Sequence, residues 1–161
     1  MSGDVFEELP FFQDLNTAQV GLIKPVFIPC ERYTGSVLFE QGDPAEYLYL
    51  VISGEVTIHY KPEDGPTMPI ARVRSGGVVG WSAVLGNRQY TSEAICSDYA
   101  RLLRVRGRDL RHLCEDYPET GILILDRLAW VIAERLHHTY EQVIGLLKQG
   151  LYNGLPSVKE V

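Results

Sequence analysis

The chain has 161 residues, 45% of them hydrophobic and 22% charged, with a formal net charge of −6. That is the length of one domain and the composition of an ordinary globular protein. The acidic balance argues against a general role on nucleic acid or an anionic membrane, because both reward clustered positive charge.

The opening residues, MSGDVFEELPFF, carry acids rather than a basic start, and no long apolar run follows. Neither a signal peptide nor a transmembrane helix is expected, so the setting is read as cytoplasmic. Cys30, Cys96 and Cys114 are widely spaced and include no CxxC pair. They read as reduced thiols in core positions, not as a disulfide frame or a metal knuckle.

Residues 4–28 are expected to be helical, with Asp14 or Asn16 as a cap and Ala18, Val20, Leu22, Ile23 and Val26 as apolar positions. Pro25, Pro29 and the Glu31-Arg32 pair are expected to end that part. The stretch 33–105 changes character. Short β-prone runs are separated by Gly, Pro, Asp and Asn, a rhythm that signals an antiparallel sandwich or barrel. Tyr47 to Ile52 is apolar on both faces and reads as a central, doubly covered strand. After the Ser53-Gly54 turn, Val56, Ile58 and Tyr60 alternate with polar neighbours, and Lys61 to Pro69 reads as a polar hairpin loop.

From Pro118 the period becomes helical, with proline in the first turn and Glu119 near the positive end of the helix dipole. Ile122, Leu125, Ala129, Ile132, Leu136, Val143 and Leu146 follow a three–four spacing interrupted by Thr139. A helix over 118–149 would be about 45 Å long, more than a small sandwich can cover, so a partner helix is expected. Gly150 and Asn153-Gly154 are expected to stop it, leaving 150–161 as a flexible tail.

The order of three segments is specific. Gly35 to Asp43 (GSVLFEQGD), Tyr47 to Val56 (YLYLVISGEV) and Gly76 to Gly80 (GGVVG) resemble the cyclic nucleotide-binding domain family. The run AERLHHTYEQV, Ala133 to Val143, resembles the dimer helix of that family's catabolite activator (Crp/Fnr) branch. The resemblance implies a mainly β fold: a jelly-roll β-sandwich of the double-stranded β-helix type, with an N-terminal helix and a long C-terminal dimerisation helix. It covers roughly residues 5 to 148.

It also implies a phosphate-binding cassette over Gly80 to Ala94, involving Gly80, Trp81, Ser82, Ala83, Arg88, Tyr90 and Thr91. A short helix starting near Ser82 would aim backbone N–H groups at an anion, with Ser82 and Thr91 adding hydroxyl donors. In the family an acid after the cassette glycine holds the ribose, and an arginine about nine residues on neutralises the cyclic phosphate. Here those positions are Trp81 and Tyr90. Removing one partner of a buried arginine–phosphate contact costs about 2–5 kcal/mol, which is on the order of thirty- to several-thousand-fold in affinity. Two substitutes are open: Arg88 swinging in, or the Tyr90 hydroxyl donating to a phosphate oxygen. Thr139 and Tyr140 align with hydroxyl residues that face the base from the family's dimer helix.

Other sites fare worse. A metal-dependent cupin needs several histidines inside the barrel, and His59 stands alone in the sandwich stretch. A haem held by His59, Cys96 or His112 has less support than a structural role for each. Arg101, Arg104, Arg106, Arg108 and Arg111 hint at an acidic partner, against the ordinary reading of a solvated face. The chain ends shortly after the long helix, so DNA binding by this chain alone is not expected.

The reading is a stand-alone regulatory module and homodimer through 118–149, neither an enzyme nor a carrier of a resident cofactor. Its ligand is a cyclic nucleotide or another small anion, and cyclic AMP and cyclic GMP bind weakly or not at all. The alternative is a ligand-free scaffold acting through homodimerisation and a protein partner.

Overall fold

The computed structural model describes residues 5–154. The chain divides into two compact units, Met1–Ile124 and Leu125–Val161.

The expected helix over 4–28 is instead a broken series. Helix α1 is Val5–Glu8, a 3₁₀ turn covers Pro10–Phe12, and α2 is Thr17–Ile23. Pro10 has no N–H to continue α1, and it disfavours helical backbone at Leu9, whose ψ is 130°. Asp14 then takes a left-handed φ of 62°, which separates the turn from α2. Asn16, not Asp14, is the cap. Its side chain accepts the Gln19 N–H at 2.8 Å, and the Gln19 side chain accepts the Asn16 N–H at 3.0 Å. Phe12 packs edge-on to Phe27, with ring centroids 5.4 Å apart.

The sandwich begins earlier than 33. Strand β1 is Ile28–Arg32, so Pro29, Glu31 and Arg32 lie in a strand rather than ending a helix. It is an edge strand, where a residue without N–H is tolerated. The remaining strands are β2 (Val37–Phe39), β3 (Tyr47–Ser53), β4 (Val56–Tyr60), β5 (Met68–Val73), β6 (Val78–Val79), β7 (Glu93–Cys96) and β8 (Ala100–Arg106). They form two four-stranded antiparallel sheets, ordered β1-β8-β3-β6 and β2-β7-β4-β5. The fold is therefore the expected jelly-roll sandwich with flanking helices.

Strand β3 lies inside its sheet, and Leu48 to Ile52 are all buried, which is the doubly covered strand read from its apolar run. The core between the sheets gathers Phe39, Tyr49, Val51, Val56, Ile58, Tyr90, Ala94 and Leu102. Strand β4 departs from simple alternation: Thr57 is buried and Tyr60 is exposed. The Thr57 hydroxyl escapes the cost of burial by donating to Ser97 Oγ at 2.8 Å, which in turn donates to Glu55 Oε1 at 2.8 Å. The register of β4 with β5 shifts between Ile58 and His59, leaving Ile70 without a cross-strand partner on the outer strand.

After β8 come α3 (Gly107–Asp116) and α4 (Pro118–Gly154). Helix α4 runs past the expected stop at 149. Gly150 lies inside it, so residues 150–154 are helix rather than tail, and the rest of the expected tail lies outside the described residues. Glycine at this position weakens a helix without ending it unless the backbone turns left-handed, and Gly150 does not. On α4, Ile122, Leu125, Leu136, Val143 and Leu146 are exposed in the single chain. Among the described residues, no helix is long and apolar enough to cross a membrane.

Candidate functional site

The cassette leaves β6 through Gly80, whose φ of 80° and ψ of 28° are left-handed. A Cβ built there would sit 2.6 Å from the Tyr47 carbonyl oxygen and 3.2–3.3 Å from the rings of Phe39 and Tyr90. Both the conformation and the crowding restrict this position to glycine.

The expected short helix near Ser82 is a single 3₁₀ turn, Trp81–Ala83. Its amides do not gather free at one spot. The N–H of Ala83 donates to Gly80 O, those of Val84 and Leu85 donate to Trp81 O, and that of Asn87 donates to Ser82 O. Ser82 and Ala83 are buried, Trp81 is half-buried, and Arg88 and Thr91 are exposed. The loop that follows is fastened to the β2–β3 connection: Ala45 N–H donates to Arg88 O, Tyr90 N–H to Asp43 O, and Gly42 N–H to Tyr90 O. The Arg88 backbone is thus fixed while its side chain points to solvent.

Tyr90, at the arginine position, is only 5% exposed. Its ring stacks on Phe39 with centroids 3.7 Å apart and 13° between planes. Its hydroxyl donates to the Tyr47 carbonyl at 2.6 Å and accepts the Tyr47 N–H at 2.9 Å. The proton that a phosphate would need is therefore committed to the backbone of β3. Burial pushes the phenol up to about 12, against the lowering effect of the Tyr47 backbone hydrogen bond.

Tyr47 passes the contact on. Arg106 donates to the Tyr47 hydroxyl from Nη2 at 2.8 Å and from Nε at 3.2 Å, and the Arg104 guanidinium lies 4.7 Å from the centre of the Tyr47 ring. Beside Arg106, the N–H of Gly107 donates to Glu46 O at 2.9 Å. A Cβ at Gly107 would meet the Ala83 carbonyl oxygen at 2.2 Å. The first residue of α3 thus rests on the backbone of the cassette turn.

The structure brings together Gly80, Trp81, Ser82, Ala83 and Tyr90, with Arg88 and Thr91 on the exposed side of the same loop. Thr139 and Tyr140 are exposed on α4, in the second unit, and the Thr139 hydroxyl donates to the carbonyl of Arg135 one turn back at 3.0 Å. Sequence reasoning missed Phe39, Tyr47 and Gly107, and took Arg106 only as part of a basic run and not as a partner of Tyr47. Tyr47 and Arg106 are cross-strand partners 59 residues apart, and only a β3–β8 register assignment would have paired them.

The three cysteines are free thiols, and burial pushes each above its ordinary value. Among the described residues, no group of three or more His, Cys, Asp or Glu is placed to hold a metal ion.

Comparison with known proteins agrees with the fold. The family model for the cyclic nucleotide-binding domain matches residues 31–117. A CRP-like cAMP-activated global transcriptional regulator of Mycobacterium tuberculosis is 24% identical over 144 residues, covering 89% of this chain and 62% of that protein. The chain thus spans about three-fifths of the length of that regulator. Among solved structures, a cyclic nucleotide-binding domain from Methylobacillus flagellatus superposes with a TM-score of 0.77 at 20% identity, over 88% of this chain and 79% of that one. The catabolite activator protein of Thermus thermophilus superposes with a TM-score of 0.67 at 27% identity, over 86% and 63% of the two chains.

Proposed function

Since the chain belongs to the cyclic nucleotide-binding domain family, we propose that it is a regulatory module whose cassette keeps the family's backbone frame but holds cyclic AMP and cyclic GMP weakly or not at all. One observation carries this reading. At the position where the family places an arginine for the cyclic phosphate, Tyr90 is stacked on Phe39 and its hydroxyl is bonded to both backbone polar groups of Tyr47. A neutral phenol with a committed proton offers a cyclic phosphate neither charge nor a free donor. The half-buried Trp81 stands where the ribose acid would be and supplies no carboxylate.

The relative's description as cAMP-activated supports a sensing ancestry. The cassette turn and α3 share a backbone contact at Ala83 and Gly107, so displacement of one loads the other. The module's output runs through assembly rather than catalysis: it forms a homodimer along residues 118–149 of α4. The exposed Ile122, Leu125, Leu136, Val143 and Leu146 support this, because one helix does not stably leave such a stripe in water. The same Tyr90 closure favours, as a second reading, a scaffold that takes no ligand and acts on a protein partner.

Isothermal titration with cyclic AMP and cyclic GMP into the millimolar range tests the proposal. The expected result is a dissociation constant in the high micromolar range or weaker, or no heat at all. Submicromolar binding of either nucleotide to the unaltered chain would overturn it.

A further inference from the structure

A cavity of about 470 Å³ lies within the first unit, beside the cassette rather than inside the sandwich. Its wall takes Ala83 and Asn87 from the cassette loop, Glu46 from the position just before β3, and Arg106, Arg108 and Arg111 from the end of β8 and from α3. It shares Ala83, Gly86 and Asn87 with the cassette stretch but none of Gly80, Trp81, Ser82, Tyr90 or Phe39.

The charge in this wall is unbalanced. Arg106 is held by the Tyr47 hydroxyl, and Glu46 and Asp109 act on it electrostatically. Arg108 and Arg111 stand three residues apart on α3, and neither has a salt-bridge partner among the described residues. Three guanidinium groups therefore face one lining carboxylate, in a chain whose net charge is −6. Like charges on one helix face repel, and the arrangement gains most from a ligand carrying at least two negative charges. Guanidinium forks match phosphate oxygens in pairs, and the Asn87 amide adds a neutral donor and acceptor. The volume lies in the range of small-molecule sites and well above that of a single ion. The end of α3 is not what makes the site, because the Gly107 N–H is already bonded to Glu46 O.

We infer that this cavity is a binding site for a small molecule bearing a dianionic phosphate or a polyphosphate, separate from the cassette. Its occupant touches Ala83 and Asn87 on one side and Arg108 and Arg111 on the other, and so ties α3 to the cassette turn. The inference stands apart from the reading of the cassette and survives if a cyclic nucleotide proves to bind at Gly80.

Titration of the full chain with inorganic pyrophosphate, at fixed ionic strength and followed by calorimetry, is the test. Saturable one-to-one binding is expected, weakened about tenfold for each arginine removed in Arg108→Gln and Arg111→Gln, as charge-assisted contacts of partial exposure predict. Arg72→Gln, which removes the same charge from an exposed position on β5 outside this wall, should leave pyrophosphate binding unchanged. Three results would overturn the inference: no binding in the millimolar range, binding equal in the double arginine variant, or competition by sulfate as effective as by pyrophosphate itself. The arginine changes lie on exposed positions and leave the fold intact, which circular dichroism checks.

Discussion

Tyr90 and Tyr47 form a closed pair in which one phenolic hydroxyl takes the N–H and gives its proton to the C=O of the same residue. A side chain from the cassette thereby completes the hydrogen bonding of the first residue of β3, where the neighbouring strand β6 does not reach. Tyr90→Phe keeps the stack on Phe39 and leaves both Tyr47 groups unpaired. A loss of about 1–3 kcal/mol is expected, read as a lower urea midpoint with unchanged slope.

The same pair gives a dependence on pH. The Tyr90 phenol is raised from 10.0 to about 12 in the folded chain, chiefly by burial. Its protonated form is the one the fold favours, so its contribution is complete below about pH 10 and fades as pH rises toward 12. A two-unit rise corresponds to roughly 2–3 kcal/mol at most. The stability gap between the wild type and Tyr90→Phe should shrink as pH rises from about 10 toward 12, measured by urea unfolding at each pH. A gap that stays constant would place the hydroxyl in water rather than against Tyr47.

Gly107 and Gly21 make a matched pair of glycines with opposite expectations. At Gly107 a methyl group meets the Ala83 carbonyl oxygen at 2.2 Å, so Gly107→Ala forces α3 and the cassette apart and costs about 1–3 kcal/mol. At Gly21, inside α2, nothing lies within 4 Å of the added Cβ, and Gly21→Ala should stabilise by about 0.4–1 kcal/mol. Thermal melts of the two variants side by side decide whether the α3–cassette contact is as tight as the backbone geometry requires.

Restoring the two charged grips should restore affinity. Trp81→Glu with Tyr90→Arg is expected to raise affinity for cyclic AMP by about thirtyfold or more over the unaltered chain, at some loss of stability from the broken Tyr47 bonds. A folded double variant with no gain in calorimetric titration would show that the family's ligand geometry does not carry over to Gly80–Ala94.

The stripe on α4 makes assembly measurable. Leu136→Asp with Leu146→Asp puts two carboxylates on the proposed seam, where both leucines are exposed in the single chain. Sedimentation equilibrium should then report a monomer where the unaltered chain reports a dimer, with the sandwich still folded by near-ultraviolet dichroism. A dimer that survives both changes would move the interface off this stripe.

What could be read from residues alone followed the strength of the local signal. Gly35, Gly42, Gly54, Gly76 and Gly80 all take positive φ, so turns that demand glycine announced themselves. The doubly apolar run of β3 announced its central place in the sheet. The N-terminal part did not, because Ala18, Val20 and Leu22 suit a helix whether or not it continues, and only Pro10 and the left-handed Asp14 break it. Thr57 was hidden for another reason: its burial depends on Ser97, forty residues away, receiving its hydroxyl proton. In the candidate site, the sequence pattern singled out Tyr90 at the position where the resemblance expects an arginine. It could not reveal that Tyr90 bonds to Tyr47, since that contact exists only once β3 and the cassette are side by side.

The offset between β4 and β5 bears on how the molecule behaves in a crowded solution. Strand β5 is the outermost of its sheet and carries Met68 and Ile70 toward solvent, the kind of edge on which a second chain can stack by adding strands. The register shift at Ile58 and His59 and the missing N–H of Pro69 interrupt the row of donors that such stacking would need. The sheet therefore ends on this side in a ragged margin that resists growth into ribbons.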